Sequence, residues 1–243
     1  MSETIVHNDV PLRFIAPSGE PRAGVIVLHQ APGFTPQIEG WLERLAGEGY
    51  LAVAPLLHHR TGSEFLNPAD FGGDLSAFAA ALPGDNDAVN DIGAALDYLA
   101  EQGLEASHAG ILGFSYGGRL TYLVASQRPL AAAVSYYSGG IQRKNFHGND
   151  AIPALTERTA GLQTPWLGFI GEQDFMLEPG ELDAWEAALE SAPVPVELVR
   201  YPGAGHAFDV DMPFGPGMPS PYVAEAADDA ERRALEFLTA RLG

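Results

Sequence analysis

The stretch Ala109-Gly110-Ile111-Leu112-Gly113-Phe114-Ser115-Tyr116-Gly117-Gly118 decides the fold of this chain. Its first half is an apolar strand, and its second half contains the pattern Gly-x-Ser-x-Gly and leads into the helical sequence Arg119–Leu123. In this strand–turn–helix context the pattern is typical of a nucleophile elbow, a tight turn that exposes a serine hydroxyl at the carboxyl edge of a sheet. The alternative is an ordinary turn built from small residues. The flanking sequence favours the elbow, with Ser115 as candidate nucleophile.

Short apolar runs alternate with segments of helical spacing on both sides of this turn. The runs predict strands at Gly24–Gln30, Leu51–Pro55, His108–Gly113, Ala131–Tyr136, Pro165–Gly171 and Val196–Tyr201. The other segments predict helices at Gln37–Glu48, Asn86–Gln102, Ser115–Gln127, Pro179–Ser191 and Pro221–Leu242. The alternation indicates an α/β fold with a mainly parallel, doubly wound sheet and helices on both faces. Thr4–Ala16, which is polar at its centre, predicts an antiparallel hairpin at the N-terminal edge.

The composition limits the classes of protein to consider. A chain of 243 residues, 46% of them hydrophobic, predicts a single domain over 1–243. The net charge of −19 argues against nucleic-acid and anionic-membrane partners, because such a field repels phosphates. The chain has no cysteine, and its apolar runs are too short to span a bilayer. We expect a cytoplasmic protein, either a monomer or a homodimer, with a small molecule as partner.

A serine nucleophile needs a histidine as base and a carboxylate behind the histidine. In folds with a nucleophile elbow, the carboxylate follows the serine along the chain and the histidine comes last. Asp174 directly follows the predicted strand that ends at Gly171, and His206 lies in a glycine-rich turn after the strand Val196–Tyr201. Both positions predict side chains at the carboxyl edge of the sheet, where Ser115 is expected. The competing residues fit less well: Glu172 is too close to its strand, Asp183 falls within a helix, and His108 and His147 lie outside the expected order.

The oxyanion of an acyl-transfer intermediate needs two backbone N–H donors. We expect one from Tyr116, which follows the nucleophile, and one from Ala31 in the loop after the first parallel strand, since Pro32 has no N–H. Four further residues are candidates for contact with substrate: Gln30, Phe34, Tyr137 and Phe208. Ordinary packing or loop roles remain the alternative for each of these four.

Two long connections, His58–Pro83 and Val210–Pro221, interrupt the alternation, and loops of this length are usually functional or mobile. The second could act as a lid. The pair His58-His59 does not predict a metal site, because adjacent side chains rarely converge on one ion. We therefore expect no metal and no cofactor.

The chain resembles the dienelactone hydrolase family of α/β-hydrolases. The resemblance rests on Gly113–Gly118, Gly171–Asp174 and Gly205-His206-Ala207-Phe208, together with the pair Tyr136-Tyr137 and Arg60. It implies the α/β-hydrolase fold and the opening of an ester or lactone by acyl transfer through a nucleophile–His–Asp triad.

Three departures from the family pattern bear on chemistry. The best-known members carry cysteine at the position of Ser115 and glutamate at the position of Gln30, so this chain resembles a serine-nucleophile variant. Family members also recognise a substrate carboxylate with arginines. Here the stretch after the histidine reads Asp209-Val210-Asp211, and no arginine lies between Arg60 and Arg119. Because aspartates repel an anion, we expect a neutral or cationic ester or lactone as substrate.

The leading hypothesis is a serine hydrolase that cleaves small carboxylic esters or lactones through an acyl-enzyme. An acyltransferase or a peptidase could use the same triad. A catalytically silent ligand-binding protein of the same fold is the alternative from another class, although such proteins usually lose part of the triad.

Overall fold

The computed structural model describes residues 1–142, 145–146, 149–211 and 220–243. Within them, eight strands form one sheet in the order β1-β2-β4-β3-β5-β6-β9-β10. The strands are β1 Glu3–His7, β2 Val10–Ile15, β3 Ala23–Leu28, β4 Tyr50–Pro55, β5 Ala109–Phe114, β6 Ala132–Tyr136, β9 Trp166–Gly171 and β10 Val196–Tyr201. A separate antiparallel pair consists of β7 Asn145–Phe146 and β8 Asn149–Pro153.

The direction of the strands confirms the predicted sheet. β2 is antiparallel to both β1 and β4, whereas the pairs from β4 through β10 are parallel. β3, β4, β5, β6 and β9 are buried along their whole length, as expected of strands that helices cover on both sides. Their carboxyl ends therefore meet at one edge, and the loops that leave this edge build the site.

Helices cover the sheet on opposite faces. They are α1 Pro36–Gly47, α2 Leu75–Ala80, α3 Asp85–Glu101, α4 Tyr116–Ala125, α5 Glu181–Leu189 and α6 Ala224–Leu242. A Cβ at Gly24 would meet Leu99 of α3, while a Cβ at Gly110 would meet Leu238 of α6. Gly24 pairs with Ala109, the neighbour of Gly110, and successive residues of a strand face opposite sides. α3 and α6 therefore lie on opposite faces.

The observed boundaries differ from the predicted ones where loops of the site begin. The predicted strand Gly24–Gln30 ends at Leu28, because the chain turns at His29 into the loop that carries Ala31. The predicted helix Ser115–Gln127 starts at Tyr116, with Ser115 as its capping residue in a non-helical conformation. The connection His58–Pro83 contains the short helix α2, which was not predicted.

The connection Val210–Pro221 falls largely on residues 212–219, which lie outside the described residues, so its role as a lid stays a prediction. In the described part of the chain, no helix combines the length and apolar character needed to cross a membrane.

Candidate active site

Ser115 lies in a strained turn between β5 and α4. Its backbone has φ 53° and ψ −113°, a conformation that a residue with a side chain rarely adopts. The Ser115 N–H donates to the carbonyl of Tyr136 at 2.9 Å, which ties the turn to β6. A Cβ at Gly117 would lie 2.5 Å from the carbonyl oxygen of Leu28, so only glycine lets α4 begin this close to the end of β3. These are the features expected of a nucleophile elbow.

The structure brings the three residues predicted as nucleophile, base and carboxylate together. Ser115 Oγ lies 2.9 Å from His206 Nε2. His206 Nδ1 lies 2.7 Å from Asp174 Oδ2. All three side chains are buried, with at most 8% of any of them exposed. Because a carboxylate can only accept at neutral pH, Nδ1 carries the proton and Nε2 is left to accept from the serine hydroxyl.

Asp174 is held in place by the loop after β9. Its Oδ1 accepts from the N–H of Met176 at 2.8 Å, which leaves Oδ2 for the histidine. The competing carboxylates Glu172 and Asp183 both pair with Arg200 at the surface instead. Phe175 adds a contact that was not predicted, since its ring lies 5.5 Å from the ring of His206.

The candidate oxyanion donors belong to Tyr116, the first residue of α4, and to Ala31 in the loop after β3. Backbone hydrogen bonds hold this loop, both within the loop itself and between the loop and the connection His58–Pro83. Gly33 N–H donates to the Gln30 carbonyl at 3.0 Å, and Leu66 N–H donates to the Pro32 carbonyl at 2.6 Å. Phe34 N–H donates to the Glu64 carbonyl at 3.0 Å. Residues 64–66 of that connection therefore hold the part of the loop that directly follows Ala31.

A partly buried polar network lies beside the triad and joins the side chains of four residues. The hydroxyl of Tyr137 donates to Asp209 Oδ1 at 2.8 Å, and Gln37 Nε2 donates to Asp209 Oδ2 at 2.7 Å. Gln30 Nε2 donates to Gln37 Oε1 at 2.5 Å. The ring of Tyr137 lies edge-on to His206 with 5.2 Å between centroids. The network therefore supports one side of the His206 imidazole.

Burial raises the pKa of Asp209 to about 6, although its hydrogen bonds with Tyr137 and Gln37 oppose this shift. From the sequence, Asp209 is notable only as a charge in a stretch where an arginine is expected, and Gln37 has no distinguishing feature. The spacing of 172 residues between Gln37 and Asp209 gave no sign of their contact.

The candidate substrate contacts differ in their surroundings. Gln30 and Tyr137 belong to the network and are almost fully buried. Phe208 is fully buried, and its ring packs between Tyr137 and Tyr201. Phe34 is half-buried beneath the guanidinium of Arg13. Packing accounts for these contacts, so a direct role in substrate binding stays a prediction for all four candidates.

The two arginines at the ends of the arginine-free stretch 61–118 are engaged elsewhere. Arg60 forms a two-pronged ion pair with Asp91 of α3, at 2.7 and 2.8 Å. Arg119 is fully buried in α4 and forms a similar pair with Asp85. Neither guanidinium is available to hold an anionic substrate without breaking its ion pair. Across the residues the structure describes, no three His, Asp or Glu side chains are grouped as a metal site requires.

Comparison with known proteins gives consistent matches over nearly the whole chain. The sequence model of the dienelactone hydrolase family matches residues 12–242. A provisionally named carboxymethylenebutenolidase of Salmonella typhimurium is 32% identical over 237 residues, covering 95% of this chain and 82% of that protein. A relative of the same provisional name in Escherichia coli is 33% identical over 225 residues, covering 90% and 78%.

A solved structure from Klebsiella pneumoniae, provisionally described as a dienelactone hydrolase, superposes with a TM-score of 0.82 at 28% identity and covers 98% of this chain and 97% of that chain. The strand order and these matches confirm the predicted α/β-hydrolase fold and the family resemblance. The chain belongs to the dienelactone hydrolase family and is a hydrolase of the ester and lactone type.

Proposed function

We propose that the protein is a serine hydrolase that cleaves small carboxylic esters or lactones through an acyl-enzyme on Ser115. The observation that carries the proposal is the continuous hydrogen-bonded chain from Ser115 through His206 to Asp174. A serine hydroxyl becomes a useful nucleophile only when such a base removes its proton. Among the buried serines, Ser115 has a hydroxyl within hydrogen-bonding distance of a catalytic imidazole.

Acylation begins when Ser115 Oγ attacks the ester carbonyl and His206 Nε2 takes the hydroxyl proton. The carbonyl π electrons move to oxygen, and the N–H groups of Ala31 and Tyr116 stabilise the resulting oxyanion. The intermediate collapses, the bond to the leaving oxygen breaks, and the imidazolium protonates that oxygen. The alcohol leaves from an ester and stays attached as a hydroxyl group in a lactone.

Deacylation repeats these steps with water. His206 takes a proton from water as the oxygen attacks the acyl carbonyl, and then returns a proton to Ser115 Oγ. Asp174 stays ionised throughout and stabilises each imidazolium, because it accepts from Nδ1 at 2.7 Å. The products are the carboxylic acid and the regenerated serine.

The acyl-enzyme is tested by rapid mixing with an aryl ester in excess. The expected result is a burst of the phenol equal to the concentration of active sites, followed by slower steady release. Ser115→Ala should abolish the burst, and Ser138→Ala, which alters a neighbouring buried serine, should retain it. A burst in Ser115→Ala, or loss of the burst in Ser138→Ala, contradicts the assignment.

For the substrate, we propose a neutral or cationic acyl compound. The support is electrostatic: Asp209 lies in the network beside His206, and Arg60 and Arg119 are paired with carboxylates. The relatives named as carboxymethylenebutenolidases support a second candidate, the anionic lactone carboxymethylenebutenolide. The two candidates are distinguished by kcat/KM for this lactone and for a neutral lactone of equal size. Faster turnover of the anionic lactone contradicts the neutral or cationic assignment.

Other uses of the triad give different products. An acyltransferase would send the acyl group to an added alcohol in preference to water, and a peptidase would cleave an amide as well as the matching ester. A silent binding protein would form no covalent adduct. Product analysis with and without an alcohol acceptor tests the acyltransferase, turnover of the matching amide tests the peptidase, and absence of an adduct tests the binding protein.

A further inference from the structure

The peptide unit that joins Gln30 to Ala31 has an unusual hydrogen-bonding partner. Its N–H is the proposed oxyanion donor, while its carbonyl accepts from Gly33 N–H at 3.0 Å and lies 2.7 Å from His29 Nδ1. His29 Nε2 accepts from the N–H of Leu57 at 3.2 Å, so that nitrogen cannot carry the proton. His29 is therefore the Nδ1–H tautomer, and its ring donates to the carbonyl of this peptide.

The next carbonyl along the chain is held in the same way. His58 Nε2 lies 2.8 Å from the carbonyl oxygen of Ala31, which can only accept, so Nε2 carries the proton. His58 Nδ1 is buried without a hydrogen-bond partner. Two imidazoles thus hold the carbonyls on both sides of Ala31, one from the loop itself and one from the connection after β4.

Both rings are kept neutral by their surroundings. His29 is fully buried and His58 is 1% exposed, and their ring centroids are 4.9 Å apart. Desolvation, together with the nearby ring of His58, lowers the pKa of His29 to about 3. Desolvation also lowers the pKa of His58. A neutral imidazole has one N–H donor. In His29 this donor is directed at the carbonyl of Gln30, and in His58 it is directed at the carbonyl of Ala31.

We infer that His29 and His58 are positioning residues that orient the Ala31 N–H toward the oxyanion. A peptide plane with its carbonyl fixed by two donors has little freedom to rotate, and a hydrogen bond to the carbonyl polarises the N–H of the same peptide. Preorganised donors stabilise a transition state because they need no reorientation as charge develops. The inference rests on the proposed function, since it assigns the loop its role in acyl transfer.

The tautomers are tested first in the unaltered protein. Nitrogen chemical shifts from ¹⁵N-labelled histidine should show Nδ1–H for His29 and Nε2–H for His58, both unchanged between pH 7 and 8. The opposite tautomer of either ring, or protonation of either within this range, would overturn the inference. This measurement requires no substitution and so does not depend on the folding of a variant.

Two substitutions at His58 form a matched pair. The amide of His58→Gln can place an N–H near the position of Nε2, whereas the shorter amide of His58→Asn cannot reach the Ala31 carbonyl. We expect His58→Asn to lower kcat by about 30-fold, less than loss of a whole oxyanion donor, with KM changed by less than about twofold. His58→Gln should stay within about threefold of the unaltered kcat. Equal losses in the two variants would overturn the inference.

A second measurement separates positioning from general damage. Ser115 Oγ adds to the carbonyl of a trifluoromethyl ketone and gives a hemiketal oxyanion that resembles the transition state. The affinity for this ketone should therefore fall in His58→Asn by the same factor as kcat/KM. Unchanged affinity would overturn the inference, as would a KM rise that accounts for the whole loss. If the unaltered protein does not bind this ketone covalently, the proposed serine mechanism fails instead, so the two failures are distinguishable.

Discussion

At the scale of single residues, Asp174 and Glu172 lie two positions apart and have different surroundings. Asp174 is buried and accepts from His206, whereas Glu172 is at the surface and accepts from Arg200. We expect Asp174→Asn to lower kcat by roughly 10³ to 10⁴, because an amide N–H facing the ring favours the wrong imidazole tautomer. Glu172→Gln should change kcat by less than about twofold. Steady-state kinetics on one neutral ester compare both, and similar losses contradict the assignment.

Asp209 gives a prediction about pH. Its pKa in the folded protein is about 6, above the ordinary 3.8, so protonation of Asp209 stabilises the folded state. This stabilisation is fully present below pH 3.8 and is lost as the pH rises through 6. Asp209→Asn removes this loss. The unfolding free energy of the variant relative to the unaltered protein should therefore rise by about 2 kcal/mol between pH 4.5 and 7.

Urea denaturation at the two pH values measures this change in relative stability. Asp211→Asn is the control, because Asp211 is close in sequence and exposed, and its relative stability should be the same at both pH values. A constant difference between Asp209→Asn and the unaltered protein contradicts the raised pKa.

The residues of the site were predictable from sequence to different degrees. Ser115, Asp174 and His206 each follow a strand directly, so their chain order and the shared edge of a parallel sheet identified them. Gln37 and Phe175 carry no comparable signal. They reach the site through contacts between distant parts of the chain, which local patterns do not encode. The roles of the predicted residues in catalysis stay predictions until kinetics test them.

At the scale of secondary-structure elements, the start of α4 is pressed against the end of β3. A Cβ at Gly117 would lie 2.5 and 2.6 Å from the carbonyl oxygens of Leu28 and His29, which are backbone atoms and cannot move aside alone. Gly117→Ala should therefore separate the two elements that carry the candidate oxyanion donors. We expect a loss of about 1–3 kcal/mol in unfolding free energy, with a fall in kcat.

Gly40 is the matched control for this substitution. It lies within α1, and a Cβ there would have no heavy atom within 4 Å. Gly40→Ala should stabilise the protein by up to about 1 kcal/mol, because alanine favours the helix, and should leave kcat unchanged. If the two alanine variants behave alike in denaturant and in turnover, the close contact of α4 and β3 has no functional importance.

The elements themselves were largely predictable, because continuous apolar runs marked the buried strands and amphipathic spacing marked the helices. The short helix α2 was missed, since six residues give too little periodicity to separate a helix from a loop. The end of the strand Gly24–Gln30 was predicted two residues too late, because the polar residues His29 and Gln30 belong to the loop that leaves the sheet after Leu28.

At the scale of the whole molecule, the net charge of −19 opposes the compact state through self-repulsion. Raising NaCl from 10 to 200 mM at pH 7.5 should therefore raise the thermal midpoint by roughly 3 °C, because salt screens exposed like charges. Near pH 5, where the net charge is smaller, the same addition should have less effect. Calorimetry measures both shifts, and an equal shift at the two pH values contradicts a charge-repulsion origin.

The family and the fold follow from the whole chain, whereas other predictions at this scale remain open. The match over residues 12–242 confirms the family, and the strand order confirms the sheet. The single domain, the cytoplasmic location and the choice between monomer and homodimer stay predictions. None of them is determined by the local patterns that identify strands, helices and catalytic residues.

The most direct test of the central claim is covalent labelling with a fluorophosphonate, read by intact mass and peptide mapping. We expect one adduct per chain, located on Ser115, with labelling lost in Ser115→Ala and strongly slowed in His206→Gln. An adduct on another residue, or labelling of Ser115→Ala at the unaltered rate, would contradict the account.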